Sequence, residues 1–109
     1  STMTTEARKL VFMGDRTSNG GEVITASGNT YGGTGGTGYR RGVLLGDKAV
    51  CGVCATEASI VPRYSTSVGL PTDGNIAVAL DGDLLDCTCE TKPHVIGTSS
   101  ATFHDSRTA

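Results

Sequence analysis

The sequence has no tryptophan, and its only aromatic residues are three tyrosines and two phenylalanines. Because aromatic side chains supply much of the apolar area that a core buries, the sequence predicts a modest core. No apolar run is long enough to span a bilayer and no amino-terminal export signal is present, so we expect neither a membrane protein nor use of the general export route. The net charge of −2 offers no basic surface for nucleic acid or an anionic membrane.

Sustained helical periodicity is also missing from the sequence. The 16 glycines, together with many threonines and serines, favour turns and short strands. The 109 residues suffice for one domain, and we predict that it is all-β, with few or no helices. A small core in so glycine-rich a chain indicates a covalent or metal cross-link, which the four cysteines could provide.

A Gly-Asp pair ends a short apolar run at three places: Gly14-Asp15, Gly46-Asp47 and Gly82-Asp83. Glycine adopts positive φ without strain and aspartate can bond nearby backbone, so each pair predicts a tight turn. Aliphatic residues on the predicted return strands follow at a constant interval of 36 residues: Ile24, Ile60 and Ile96. We interpret the chain as three copies of one β-hairpin, each too small to fold alone.

Three such hairpins can bury their aliphatic faces around a pseudo-threefold axis, with their turns meeting at one end. The predicted fold is therefore a small, conical, three-sided β-prism that occupies residues 10–98. Residues 1–9 are polar and unpatterned, and we expect a disordered start or one left by cloning. Residues 99–109 are predicted to be a short polar tail.

The cysteines form two close pairs, Cys51-x-x-Cys54 and Cys87-x-Cys89. Cys51 and Cys87 each follow the aspartate of a Gly-Asp pair by four residues, so the turns should bring them together. Four thiolates favour a structural Zn²⁺ site at the apex, with no open coordination position for catalysis. His94 is an alternative fourth ligand in place of Cys89. Two disulfides or buried free thiols are the other interpretation, whereas a thioredoxin-like pair lacks its βαβ context.

Other motifs favour ordinary structural roles. Asn19 occupies the position after the first turn that corresponds to Cys51, but a carboxamide is a poor zinc ligand, so we interpret it as an Asn-Gly turn residue. Residues 33–38 match GxGxxG, yet no helix follows to support a dinucleotide site. Residues 39–41 (Tyr-Arg-Arg) are expected to be a solvated basic patch, and His104 a surface residue. The three aspartates are explained by their own turns.

The "GDRTSNGG" opening, the "GDKAVCGVC" centre and the "AVALDGDLLDCTC…VI" closing resemble the PAAR-repeat proteins, the zinc-tipped caps of bacterial type VI secretion spikes. The resemblance covers roughly residues 10–98. Two departures are visible. Asn19 stands where many members have histidine, which favours cysteine ligands here. The segment "YRRGVLLGD" is a loose version of the Pro-Ala-Ala-Arg strand that names the family.

The resemblance implies a non-enzymatic cone whose base docks on the trimeric VgrG β-helix spike. It would be assembled in the bacterial cytoplasm and then secreted into a target cell or the medium, aiding envelope puncture and effector delivery. We expect a monomer in isolation and one copy per spike trimer. Four apolar residues of the approach strands are predicted to contact the spike: Val43, Leu44, Ile76 and Val78.

Other functions remain open at this point. One is an adaptor at the spike tip that recruits effector proteins, and another is a stand-alone structural zinc-binding β module. An enzyme using zinc or a cysteine nucleophile is disfavoured because the sequence offers no acid–base constellation around the cysteines.

Overall fold

The computed structural model describes residues 6–31, 40–63, 72–73, 76–98 and 102–105. These residues contain ten short strands: β1 (Glu6–Lys9), β2 (Glu22–Val23), β3 (Thr30–Tyr31), β4 (Arg40–Arg41), β5 (Lys48–Val50), β6 (Glu57–Val61), β7 (Thr72–Asp73), β8 (Ile76–Ala77), β9 (Leu84–Leu85) and β10 (Thr102–Asp105). None of the described residues is helical, which confirms the predicted all-β class. Within the same residues there is accordingly no helix long and apolar enough to cross a membrane.

The largest sheet has four strands in the order β2-β5-β6-β9, and all its neighbours are antiparallel. The other described strands form three two-stranded sheets, β1-β10, β3-β4 and β7-β8. Burial alternates along β6, where Ala58 and Ile60 point inward and their neighbours are exposed or half-buried. This period of two is the signature of a sheet with one face packed on a core.

The three Gly-Asp pairs form the same turn. In each, the aspartate N–H donates to the carbonyl oxygen three residues earlier at 3.0 Å, and the carboxylate accepts that residue's own N–H at 2.8 Å. The bonded pairs are Phe12 with Asp15, Leu44 with Asp47, and Leu80 with Asp83. The intervening glycines have φ of 89°, 99° and 94° at Gly14, Gly46 and Gly82. A positive φ just before the last residue is what a type II turn requires of glycine. The three predicted turns are confirmed.

The return strands keep the same register against each turn. The carbonyl oxygen of each turn aspartate accepts one N–H at 2.8 Å, from Val23, Ile60 and Val95. These three side chains are buried, whereas Ile24 is half-buried and Ile96 is exposed. The 36-residue interval therefore identified the inward-facing residue correctly only at Ile60, and the other two inward residues are Val23 and Val95. The hairpins differ in length, and a slip of one residue moves a strand's side chain to the opposite face.

The three approach segments, residues 10–12, 42–44 and 78–80, pair with one another in a cycle. The last residue of each bridges to the first residue of the next: Phe12 to Gly42, Leu44 to Val78, and Leu80 to Leu10. Their central residues are Val11, Val43 and Ala79, and all three are fully buried. Backbone N–H groups of Val43 and Ala79 donate to the carbonyls of Val11 and Val43 at 3.0 and 2.9 Å. Each approach segment thus has a partner on both sides.

The core consists of two clusters on opposite faces of these segments. One includes the three central residues, the inward return-strand residues and Cys51 and Cys87. The other is formed by five approach-segment side chains: Leu10, Phe12, Leu44, Val78 and Leu80.

The predicted spike contacts at Val43, Leu44 and Val78 need correction. They are only 0%, 6% and 2% exposed, because the cyclic pairing turns them into core, so they do not form an accessible docking surface. Ile76 lies in β8, opposite Asp73, and its side chain falls outside the described part of the chain.

The structure differs from expectation at both chain ends. Residues 6–9 and 102–105, predicted to belong to a disordered start and a polar tail, pair as β1 and β10, with Ala7 opposite His104. Arg8 is buried, and its Nη2 lies 2.8 Å from Oδ1 of Asp83. Because β1 includes this buried arginine and has no alternating apolar residues, the sequence did not predict a strand there.

Candidate metal centre

The Sγ atoms of Cys51, Cys54, Cys87 and Cys89 all lie within 4.8 Å of one another. A tetrahedral Zn²⁺ with four Zn–S bonds of about 2.3 Å places its sulfurs about 3.8 Å apart, so the cluster has the size that one metal ion requires. The predicted convergence of the four cysteines is confirmed, and together they can hold a metal ion. Two hairpins supply the ligands: the β5–β6 connection and the loop after β9.

The four cysteines are free thiols. The Sγ atoms of Cys54 and Cys89 are 3.0 Å apart, and those of Cys51 and Cys89 are 3.4 Å apart. Both separations exceed the disulfide bond length of about 2.05 Å. The alternative of two disulfides is therefore not the arrangement in this structure.

The Cys51–Cys54 loop is folded tightly by its own backbone. The N–H of Ala55 donates to the carbonyl of Cys51, and the N–H of Cys51 donates to the carbonyl of Thr56, both at 2.9 Å. Ala55 takes a φ of 57°, the left-handed region that closes such a loop. Gly52 faces the backbone carbonyl of Asn19 so closely that a Cβ would overlap it. Glycine at position 52 therefore lets the loop pack against the first turn region.

Backbone donors stabilise the thiolate of Cys51. The pKa of Cys51 is lowered from 9.0 to about 6, chiefly by the N–H of Cys54. Burial opposes this shift, and the N–H of Val53, the Asn19 amide and the Cys89 thiol add to it. Hydrogen bonds with Cys54 and then Cys51 raise the pKa of Cys89 instead. These hydrogen bonds therefore favour a thiolate at Cys51 and a protonated thiol at Cys89.

Asn19 is part of this arrangement. Its Nδ2 donates to Cys51 Sγ at 3.2 Å, while its Oδ1 accepts the N–H of Gly52 at 3.0 Å and the hydroxyl of Thr17 at 2.8 Å. Interpreting Asn19 as a turn residue missed this contact. The signal that could have found it is its fixed position after the first Gly-Asp turn, equivalent to Cys51 and Cys87.

The second cysteine pair is positioned by the loop after β9. The N–H of Leu85 donates to the carbonyl of Pro93 at 2.9 Å, which closes the base of that loop. The Lys92 ammonium donates to the carbonyl of Cys87 and lies 3.9 Å from the carboxylate of Asp86. These contacts hold Cys87 against the core, where it is buried.

His94 is not part of the group of converging ligand atoms. Its side chain is exposed, and its backbone exchanges hydrogen bonds with Ser18: the Ser18 N–H donates to the His94 carbonyl at 2.8 Å, and the His94 N–H donates to Ser18 Oγ at 3.0 Å. It lines a cavity of about 560 Å³ that also reaches Val53 and Cys89. Cys89 therefore holds the fourth position in the cluster, and His94 stands beside it.

The turn aspartates have separate partners and do not join the cysteines. Asp15 binds Arg40 at 3.2 Å, and Asp83 binds Arg8. Asp47 accepts the N–H and hydroxyl of Ser27 at 3.0 Å. Arg40, which was predicted to belong to a solvated basic patch, also lies 5.1 Å from the centre of the Phe12 ring. This arginine therefore has partners within the protein. Residues 33–38, the GxGxxG match, lie outside the described residues.

Comparison with protein-family models, with curated proteins and with solved structures finds no match to this chain.

Proposed function

We propose that this chain is a non-enzymatic, zinc-binding cap that forms the tip of a type VI secretion spike. It would dock on the trimeric VgrG β-helix, aid puncture of the target envelope and accompany effector delivery. The observation that carries the proposal is the cyclic pairing of residues 10–12, 42–44 and 78–80 within one chain. Three similar units in a cycle let a single polypeptide present one matching surface to each subunit of a trimer.

The ion we propose is Zn²⁺, because four thiolates are the soft ligand set that structural zinc prefers. When bound, zinc supplies a cross-link between the second and third units, worth about 10–16 kcal/mol of apparent binding free energy in small zinc domains. The chain's own residues prepare the site. Asn19 and the N–H groups of the Cys51–Cys54 loop hold the Cys51 sulfur in its negatively charged form.

We propose that docking occurs at the end of the molecule opposite the cysteines. The side chains of Val43, Leu44 and Val78 are buried, so they would support this end from within. Contact would come from strand edges and loops around them, since unpaired edges are stabilised when another β-structure adds to them.

The test is a stoichiometry measurement. Light scattering of the isolated chain should give a monomer, and a mixture with the trimeric VgrG-type spike protein of the same source should give one chain per trimer. Three chains per trimer, or no complex, would overturn the proposal. Release is tested separately by immunoblotting the culture medium of cells with an intact and a disabled secretion apparatus; we expect the chain only in the medium of the intact cells.

A further inference from the structure

The cysteine cluster has an inner and an outer pair. Cys51 and Cys87 are buried, whereas Cys54 and Cys89 are half-buried. The outer sulfurs are 3.0 Å apart, closer than Cys89 is to Cys51, at 3.4 Å. To form a disulfide of about 2.05 Å they need to approach by only about 1 Å.

We propose that Cys54 and Cys89 are an oxidation site, which a peroxide converts to a disulfide in preference to the pair Cys51–Cys54 that the sequence places together. The disulfide would join the Cys51–Cys54 loop to the loop after β9. The inference depends on the cysteine cluster alone and not on the proposed role as a spike tip.

Access separates the two pairs. Cys89 lines the 560 Å³ cavity, together with Val53 and His94, so a small peroxide can reach its sulfur from solvent. Cys51 is covered and its sulfur is held by the Asn19 amide at 3.2 Å. Withdrawing that sulfur to meet Cys54 would break the Asn19 contact and leave a half-buried amide donor without this acceptor.

The chemistry needs one equivalent of peroxide and no other reactant. Cys89 first loses its proton, its thiolate attacks one peroxide oxygen, the O–O bond breaks, and the proton ends on the departing oxygen, so the products are a sulfenic acid and one molecule of water or alcohol. The Cys54 sulfur then attacks the sulfenic sulfur, the S–S bond forms, and the hydroxyl leaves with the Cys54 proton as water. Each sulfur loses one electron and the peroxide gains two.

The consequence for the site is a change from a metal to a covalent cross-link. A metal ion held by the four sulfurs loses two ligands, because sulfurs in a disulfide are poor donors compared with thiolates. Cys51 and Cys87 stay reduced. The loop after β9 remains tied to the β5–β6 hairpin by the new bond, so the end of the molecule with the cysteines keeps its connection.

The experiment is disulfide mapping of the wild-type chain after treatment with hydrogen peroxide, with and without prior zinc loading. Trypsin separates residues 49–63, which contain Cys51 and Cys54, from residues 64–107, which contain Cys87 and Cys89, since it does not cut before Pro93. We expect the two peptides to be joined, with fragment ions locating the bond between Cys54 and Cys89. The other two cysteines should react with a maleimide added after unfolding.

Zinc release is followed in parallel with a chromophoric indicator, and about one ion per new disulfide is expected from the loaded chain. A bond within residues 49–63, a bond between two chains, or sulfonic acids without any bond would each overturn the proposal. As matched variants, Cys89→Ser should abolish the joined peptides, and Thr25→Ala, at a side chain that bonds Asp47, should retain them. The wild-type map decides the question if either variant fails to fold.

Discussion

The first and third Gly-Asp turns have the same backbone hydrogen bonds but different surroundings. Asp15 of the first turn binds Arg40, whose side chain is 29% exposed, while Asp83 of the third turn binds Arg8, whose side chain is 1% exposed. Four residues later the first turn leads to Asn19 and the third to Cys87. The comparison shows that four residues are enough to specify the geometry of the turn. Its contribution to stability and its chemistry depend on the residues that contact it.

The largest expected effect comes from changing the equivalent positions Cys87 and Asn19. Cys87→Ser removes a proposed zinc ligand and should lose most of the folded population, because structural zinc contributes about 10–16 kcal/mol in small domains. Asn19→Ala should stay folded in zinc. Melting curves with and without excess chelator measure both effects. If Cys87→Ser melts like the wild type in zinc, and chelator leaves the wild type unchanged, the metal cross-link does not exist.

The two arginines provide the next comparison. Arg8→Met removes the buried guanidinium that lies 2.8 Å from Asp83 Oδ1 and should lower the free energy of unfolding by about 3–5 kcal/mol. Arg40→Met, at a partly exposed pair, should cost about 1 kcal/mol. Urea unfolding monitored by circular dichroism gives both values. Equal losses would mean that burial of the third turn's ion pair does not matter to stability.

A smaller effect is expected at the sulfur contact of the first turn. Asn19→Ala removes the amide that donates to Cys51 Sγ and should weaken metal affinity about 10- to 100-fold, the usual cost of losing a hydrogen bond to a ligand. Competition with a chromophoric chelator measures it. Thr25→Ala is the control, since Thr25 bonds Asp47 in the second turn and touches no cysteine. An equal loss in both variants would assign the effect to general destabilisation.

The last prediction is a pH dependence of the metal-free chain. The pKa of Cys51 is 9.0 when unperturbed and about 6 in the folded chain, so folding favours its thiolate. Stability from this group is complete above pH 9 and is lost as the pH falls toward 6. With chelator and a stabilising osmolyte present, the melting temperature should rise from about pH 6 to pH 9, and Cys51→Ser should flatten the rise. A fall over that interval would contradict the assignment.

The sequence predicted what is local. The three turns follow from Gly-Asp pairs that need only their own backbone, and the convergence of the cysteines follows from their fixed distance after two of those turns. The return-strand register was predicted wrongly because equal spacing was assumed. Val23 lies closer to its turn than Ile60 or Val95, so the hairpins are unequal and the inward position shifts by one residue.

What the sequence did not indicate depends on distant contacts. Arg8 is charged and lies in a polar segment, so its expected place is the surface. Its burial depends on contacts distant in sequence, among them the carboxylate of Asp83 and the carbonyl of Asp81. The burial of Val43, Leu44 and Val78 likewise follows from the cyclic pairing, which no single segment reveals. The spike contacts assigned to these residues treated core positions as surface.

The cyclic pairing of three units in one polypeptide has a consequence for how the molecule can evolve. In a homotrimer every substitution would appear three times at once, so a change tolerated on one side but harmful on another would be eliminated. In this single chain, by contrast, a substitution changes only one of the three units. The position after the first turn can therefore be asparagine while the equivalent positions after the other two are cysteine. Covalent linkage thus lets three equivalent positions differ, with an amide donor at Asn19 and thiols of the cysteine cluster at Cys51 and Cys87.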